Sequence, residues 1–241
     1  MITTIHQWGH DFVGNGVQFY AQAVGDYTKQ LTPLELDLVS KAVAIRQNTF
    51  STGRYCAKRA MSLIGVEPSQ FPEGLLRRSD GSVVWPESCT GSISHTNEWA
   101  MSAVTQCGDK YQFIGIDIER IDRVAKDVLR FIATDQERDL LENAQNIRWG
   151  RVGLFSIKES LYKCLRPLYG EFIGFKDVEL ADMATEHIVV KQVGEAKVLP
   201  QFYCPSVRLI HPELADRCDE RRIDIRLAVL DEYVVSFVGY R

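Results

Sequence analysis

Apolar positions between residues 32 and 65 recur at helical spacing. Val43, Phe50, Ala57, Met61 and Ile64 follow one another at intervals of seven, four and three, so one face of a helix can turn inward. The string TPLE at 32–35 marks the start. Thr32 suits an N-cap, Pro33 the first helical position, and Glu35 the reciprocal place in a capping box. Gly65 supplies the stop, and a break between the two ends is compatible with the pattern. From Pro68 to Gly91 the chain is rich in Pro, Gly, Ser and Asp, which predicts loops with a short strand at SVVW. Two strands are expected at SISH (92–95) and WAMSAV (99–104), with a polar turn between them. CGDK (107–110) is a turn, and FIGIDIE follows as a strand.

A second series of elements comes after it. Thr134 and Glu137 repeat the capping-box pattern ahead of QERDLLENA, and a longer helix covers roughly 148–169. FKDVELAD, HIVVKQV and IDIRLAVL–DE–YVVSFVGY alternate in strand fashion, the last pair as a hairpin. Helices and strands mix without regular βαβ alternation, so the fold class is α+β. The division into halves is placed at 110, giving 1–110 and 111–241. One short echo spans them: Phe50-Ser51 precedes Arg54 and Lys58 at the same offsets at which Phe155-Ser156 precedes Glu159 and Lys163.

Composition narrows the function. The 241 residues are 45% hydrophobic and 25% charged, so a sizeable core forms without staples. The formal net charge of −4, with basic residues spread over both halves, gives no field for nucleic acid. Six scattered cysteines form no CxxC or Cys/His cluster, which argues against zinc. The N-terminus lacks the pattern of a signal peptide, and no apolar run has membrane-spanning length. A cytoplasmic, reduced protein is the expectation.

Candidate chemistry begins at FIGIDIER (113–120). Asp117 and Glu119 share one strand face, with Cα atoms about 6.6 Å apart, while Ile114, Ile116 and Ile118 take the other. Two such acids can share a divalent cation; a strand with one solvated face gives the same alternation. On the helix GLFSIKESLYKCLRPL, Leu154, Ile157, Leu161, Cys164, Leu165 and Leu168 form a stripe, with Glu159 and Lys163 almost opposite. That pair reads equally as a surface Glu–Lys contact. His95 ends a strand, where a histidine serves structure or function. Arg46, Arg54, Lys58 and Arg59 cluster on one helix, as a solvated face or as a site for phosphate.

The order of these elements is more specific than any one of them. RQNTFSTGRYCAKRAM, WPESCTGSISH, GIDIE and FSIKESLYKCL, spanning about 46–168, together resemble a phosphopantetheinyl transferase of the larger, surfactin-synthetase type, within its enterobactin-synthetase-like branch. At RRSDGSVVWP the chain departs from that pattern: Arg77 and Arg78 come early and Val83 replaces a proline, which makes Arg78 the preferred loop contact.

The resemblance implies a pseudo-dimer of two similar α+β halves with the active site in the cleft between them. It implies transfer of the phosphopantetheine of coenzyme A to a serine of an apo acyl or peptidyl carrier protein, releasing adenosine 3',5'-bisphosphate. Asp117, Glu119 and Glu159 would hold Mg²⁺, with Mn²⁺ also suited to oxygen ligands. Glu159 would act as general base, and Lys163, with Lys158 beside it, would contact phosphate. Arg46, Arg54, Arg78, Ser94 and His95 would hold the nucleotide end of coenzyme A. Fatty acid or siderophore synthesis would supply the carrier protein, and the enzyme would be a monomer. The competing readings are a non-catalytic binder of coenzyme A or carrier protein on the same fold, and a metal-dependent phosphodiesterase.

Overall fold

Both capping boxes form. The computed structural model describes residues 2–122, 126–143, 150–182, 201–230 and 232–241. Thr32 N donates to Glu35 Oε2 at 2.8 Å and Glu35 N to Thr32 Oγ1 at 3.2 Å, starting α2 (Pro33–Asp37). Thr134 and Glu137 exchange the same two bonds, at 2.8 and 3.3 Å, at the head of α5 (Asp135–Asn143). The helical stretch after Thr32 does break: α2 ends at Asp37, the chain turns, and α3 runs Ala44–Ser62. Beyond it Gly65 takes φ +77°, open to glycine at little cost.

The chain divides into two units, Met1–Ile114 and Gly115–Arg241. In the first, β1 (Val17–Ala23), β3 (Trp99–Gln106) and β2 (Cys89–His95) form an antiparallel sheet in the order β1-β3-β2. Helix α3 packs on this sheet, burying Ala57, Ala60 and Met61 against Leu75, Cys89 and Val104. Strand β1 and a helix before it, α1 (Ile2–Val13), were not legible in the apolar pattern. The aromatic Trp8, Phe12 and Phe19 tie them together in the core. SVVW forms no strand; only Val83 makes a single bridge, to Arg77.

In the second unit the sheet runs β4 (Phe113–Arg120), β9 (Tyr233–Tyr240), β8 (Ile223–Val229), β6 (Gln201–Tyr203). β8 and β9 make the expected hairpin. Helix α6 (Gly150–Tyr169) packs on β9 through a buried seam in which Ser236 Oγ bonds Ser156 and Ser160 at 2.8 and 2.6 Å. A short pair, β5 (Val178–Asp182) and β7 (Ser206–Leu209), with α4 (Leu129–Ile132) and α7 (Pro212–Arg217), completes the unit. HIVVKQV lies outside the described residues. Among the described residues no helix is long and apolar enough to cross a membrane.

The fold is thus mixed α and β, with two similar halves. Each has a first strand, a capped short helix, a long helix and an antiparallel strand pair, and in each the first strand neighbours the last. The likeness extends to single atoms. Lys58 Nζ donates to Glu35 Oε2 at 2.6 Å and to the carbonyl of Gln30, two residues before the N-cap; Leu75 N donates to Glu35 Oε1 at 2.8 Å. Lys158 Nζ donates to Glu137 Oε2 at 2.8 Å and to the carbonyl of Ile132, again two before the N-cap; Leu180 N donates to Glu137 Oε1 at 2.7 Å. Lys58 therefore corresponds to Lys158. The sequence echo, which pairs Lys58 with Lys163, is a match in the wrong register.

Candidate active site

The isoleucines of β4 are fully buried, as expected, but so are its acids: Asp117 is 3% exposed and Glu119 7%. A strand with one solvated face is therefore excluded. Burying carboxylates is costly unless something compensates them. Beside Asp117 stands α6, held close because β4 has no side chain at Gly115: a Cβ there would lie 2.0 Å from the Ser160 carbonyl oxygen. Across this contact Lys163 Nζ donates to Asp117 Oδ1 at 2.8 Å and to the Ile116 carbonyl at 3.0 Å. Lys163 is thus no member of a plain surface pair; it clasps the acidic strand.

Glu159, one turn earlier on α6, is half-buried. Burial pushes its carboxyl above the ordinary range; Lys163 pulls it back and Asp117 pushes it further up. Asp117, Glu159 and Lys163 thus act on one another across two elements of the second unit, with Glu119 two residues along β4 from Asp117. Its oxygen donors suit a hard divalent cation. Among the described residues, however, no three His, Cys, Asp or Glu side chains stand arranged as a metal-ligating cluster. The expected ligand set of Asp117, Glu119 and Glu159 is therefore not closed, and the Lys163 ammonium stands against Asp117. The strand pair Asp117 and Glu119 fits a metal by its donor chemistry. Beside Glu159 opens a cavity of about 270 Å³, walled largely by Leu161, Tyr162, Phe172, Ile173 and Phe175.

The first unit gathers the opposite charge. Arg46 and Arg54 sit two turns apart on α3 with the buried Phe50 ring between them, their guanidinium carbons 5.9 and 4.4 Å from its centroid. Arg46 Nη1 donates to His95 Nε2 at 2.9 Å. A guanidinium cannot accept, so Nε2 is the acceptor and the imidazole is neutral, with its proton on Nδ1. Arg54 is 4% exposed; its Nε donates to the Leu75 carbonyl at 2.7 Å, while its buried Nη2 has no hydrogen-bond partner among the described residues. Such a group left unpaired costs about 1–3 kcal/mol. Burial, with Arg77 and Arg46 adding repulsion against the pull of Glu35, brings the Arg54 pKa down to about 10, so it remains charged at neutral pH. Neighbouring guanidinium groups with an unused buried N–H have the chemistry to receive a phosphate.

Comparison with known proteins places the chain in a family. The family model for the 4'-phosphopantetheinyl transferase N-terminal domain matches residues 34–105, and that for the 4'-phosphopantetheinyl transferase superfamily matches 113–236. The chain belongs to the 4'-phosphopantetheinyl transferase superfamily. The 4'-phosphopantetheinyl transferase PptT of Mycobacterium tuberculosis is 33% identical over 165 residues, covering 67% of this chain and 70% of that protein. The transferase Svp of Streptomyces mobaraensis is 32% identical over 67% of this chain and 65% of its own length. Npt of Nocardia iowensis is 28% identical over 61% and 64%. The relatives are named for enzymes, and this chain is one of the same kind.

For a phosphopantetheinyl transferase, three expected contacts need correction. Lys158 is not poised for phosphate: its side chain is 3% exposed, and its three protons are shared among Glu137 Oε2 and the carbonyls of Ile132, Phe175 and Val178. Ser94 projects from the sheet face opposite to Ile93 and His95, because strand side chains alternate, so its hydroxyl points away from the Arg46–His95 pair. Arg78 donates to the Val83 carbonyl; the guanidinium whose charge is felt at both Arg46 and Arg54 is that of Arg77. The sequence reading missed two further features, Phe50 between the arginines and the aromatic wall of the cavity. Phe50 was legible as a core residue of α3, and its spacing of four from each arginine was the available signal.

Proposed function

We propose that this transferase moves the phosphopantetheine of coenzyme A onto a serine hydroxyl of an apo acyl or peptidyl carrier protein. The observation that carries this reading is the buried acid pair Asp117 and Glu119, with Lys163 on Asp117 and half-buried Glu159 one turn away on α6, in a chain of the family. Arg46, Arg54 and Arg77, with His95 fixed by Arg46, take the nucleotide phosphates of coenzyme A. Asp117 and Glu119 offer oxygen ligands to Mg²⁺, which when bound neutralises the pyrophosphate and polarises the bond that breaks. Glu159, its carboxylate made more basic by burial, accepts the proton of the carrier serine. The serine oxygen bonds to the phosphorus next to pantetheine, and the phosphoanhydride bond breaks. Adenosine 3',5'-bisphosphate leaves with the electron pair. Lys163 keeps Asp117 in place and lends positive charge to the phosphates.

The apolar cavity beside Glu159 fits the pantetheine arm, whose amide-linked chain is long, uncharged and partly apolar. Incubation with apo carrier proteins, coenzyme A and Mg²⁺, read by intact mass, tests the whole proposal. A gain of one phosphopantetheine that disappears with EDTA and with Glu159→Ala supports it. Coenzyme A binding without any gain on a panel of acyl and peptidyl carriers sinks it.

A further inference from the structure

The repeated Thr–Glu–Lys arrangement does more than close two helices, because each copy ends on a different client. In the first unit Lys58 and the α2 N-cap both hold Glu35, which is fully buried, and Glu35 Oε1 takes the amide of Leu75. The carbonyl of that same Leu75 takes Arg54 Nε at 2.7 Å. A continuous chain of hydrogen bonds thus runs from Lys58 to the guanidinium with the unused Nη2. Gly74, at φ +86°, closes on the carboxylate: a Cβ there would lie 2.5 Å from Glu35 Cδ.

In the second unit the same lysine has two added bonds. Lys158 Nζ reaches the carbonyls of Phe175 at 2.5 Å and Val178 at 3.0 Å, while Glu137 Oε1 takes Leu180 N at 2.7 Å. These bonds pin the segment that carries Phe172, Ile173 and Phe175, the cavity wall facing Glu159. Lys158 precedes Glu159 in sequence, so one ammonium fixes both the wall and the turn of helix from which Glu159 projects.

We infer that Lys58–Glu35 and Lys158–Glu137 are duplicated positioning clamps with divergent purposes: the first sets Arg54 for a phosphate of the substrate, the second sets the aromatic wall for its uncharged arm. This rests on the function proposed above.

The test pairs Lys58→Met with Lys158→Met and uses three ligands. Coenzyme A carries both features, dephospho-coenzyme A lacks the ribose phosphate, and adenosine 3',5'-bisphosphate lacks the arm. Lys58→Met is expected to cut the preference for coenzyme A over dephospho-coenzyme A in kcat/KM, and to weaken bisphosphate binding by calorimetry. Each change is about tenfold or more, the size of one charged hydrogen bond. Lys158→Met is expected to raise KM for both coenzymes by a similar factor, leaving their ratio and bisphosphate binding unchanged. General loosening of the fold would move all three ligands together in both variants, so that pattern overturns the inference. So does a Lys58→Met protein with its preference intact. Glu35→Gln and Glu137→Gln give the same readings should either methionine variant fail to fold. A wild-type protein that transfers no phosphopantetheine overturns the proposed function instead, and bisphosphate binding then still decides the first clamp.

Discussion

The two units build the same frame and fill it with opposite charge. In the first, two guanidinium groups of α3 flank Phe50 and feel the charge of Arg77 from the following loop, and a buried N–H stays unused. In the second, carboxylates of β4 and α6 crowd together and a single ammonium is drawn onto one of them. Superposing the clamps makes the contrast sharper. With Lys58 matched to Lys158, Arg54 falls on Leu154, Glu159 on Arg59 and Lys163 on Leu63. Outside the clamp lysines themselves, Arg54, Glu159 and Lys163 therefore have no chemical counterpart in the other unit.

The largest expected effect breaks the acidic side. Glu159→Gln should lower kcat by about 10²–10⁴-fold, the usual contribution of a general base, with KM for coenzyme A little changed. Steady-state assays on an apo carrier protein check it, and a variant with full turnover removes Glu159 from the reaction. On the basic side, Arg54→Gln should act on binding instead. It should raise KM for coenzyme A by roughly 10–150-fold, equivalent to about 1.5–3 kcal/mol for a charged hydrogen bond, with kcat nearly constant. If Arg54→Gln lowered kcat alone, the division of labour between the units would be wrong.

The clamps should respond alike in stability, where the sites differ in function. Glu35→Ala and Glu137→Ala each strand a lysine beside a capped helix, and each should cost about 3–5 kcal/mol in denaturant unfolding. Glu137 is the stricter case, because Lys158 is 3% exposed and Lys58 19%. The smallest effect is a titration. In metal-free protein the Glu159 carboxyl should ionise above the ordinary glutamate range because it is desolvated, so it passes from carboxylate to acid sooner as pH falls. Lys163→Met should move it further up and Asp117→Asn should bring it down, both readable by carbon NMR of labelled glutamate.

Much of this frame was written locally. TPLE, TDQE and the terminal hairpin each signal their element within a few residues, and each forms. So did the order of the charged motifs, which brought the right family into view. The clamps were not legible, because Glu35 and Glu137 look like ordinary caps and Lys58 like a surface charge. Nothing in the string says that a carboxylate will also accept an amide some 40 residues on. Lys158 was misassigned for the same reason: neighbouring lysines on one helix give no sign of which points inward. SVVW failed differently, since its three strand-prone residues found only one bridge to pair with. Strand β1 was hidden by VQFYAQA, where polar and aromatic residues blur the alternation.

The cysteines carry a last consequence, in redox terms. None of the six forms a disulfide; Cys107 is exposed, Cys204 half-buried and the other four buried. Burial pushes the Cys56 and Cys164 thiols far up and raises Cys89 to about 11, which keeps them protonated and poor nucleophiles. Coenzyme A is itself a thiol, and a protein thiolate can attack its disulfide form, joining one half as a mixed disulfide and releasing the other as a thiolate. A protein proposed to hold that molecule for a living has its core thiols placed where such exchange cannot start. Mixed disulfides with the substrate should collect at Cys107, on the turn between β3 and β4, away from the core thiols that α3 and α6 bury.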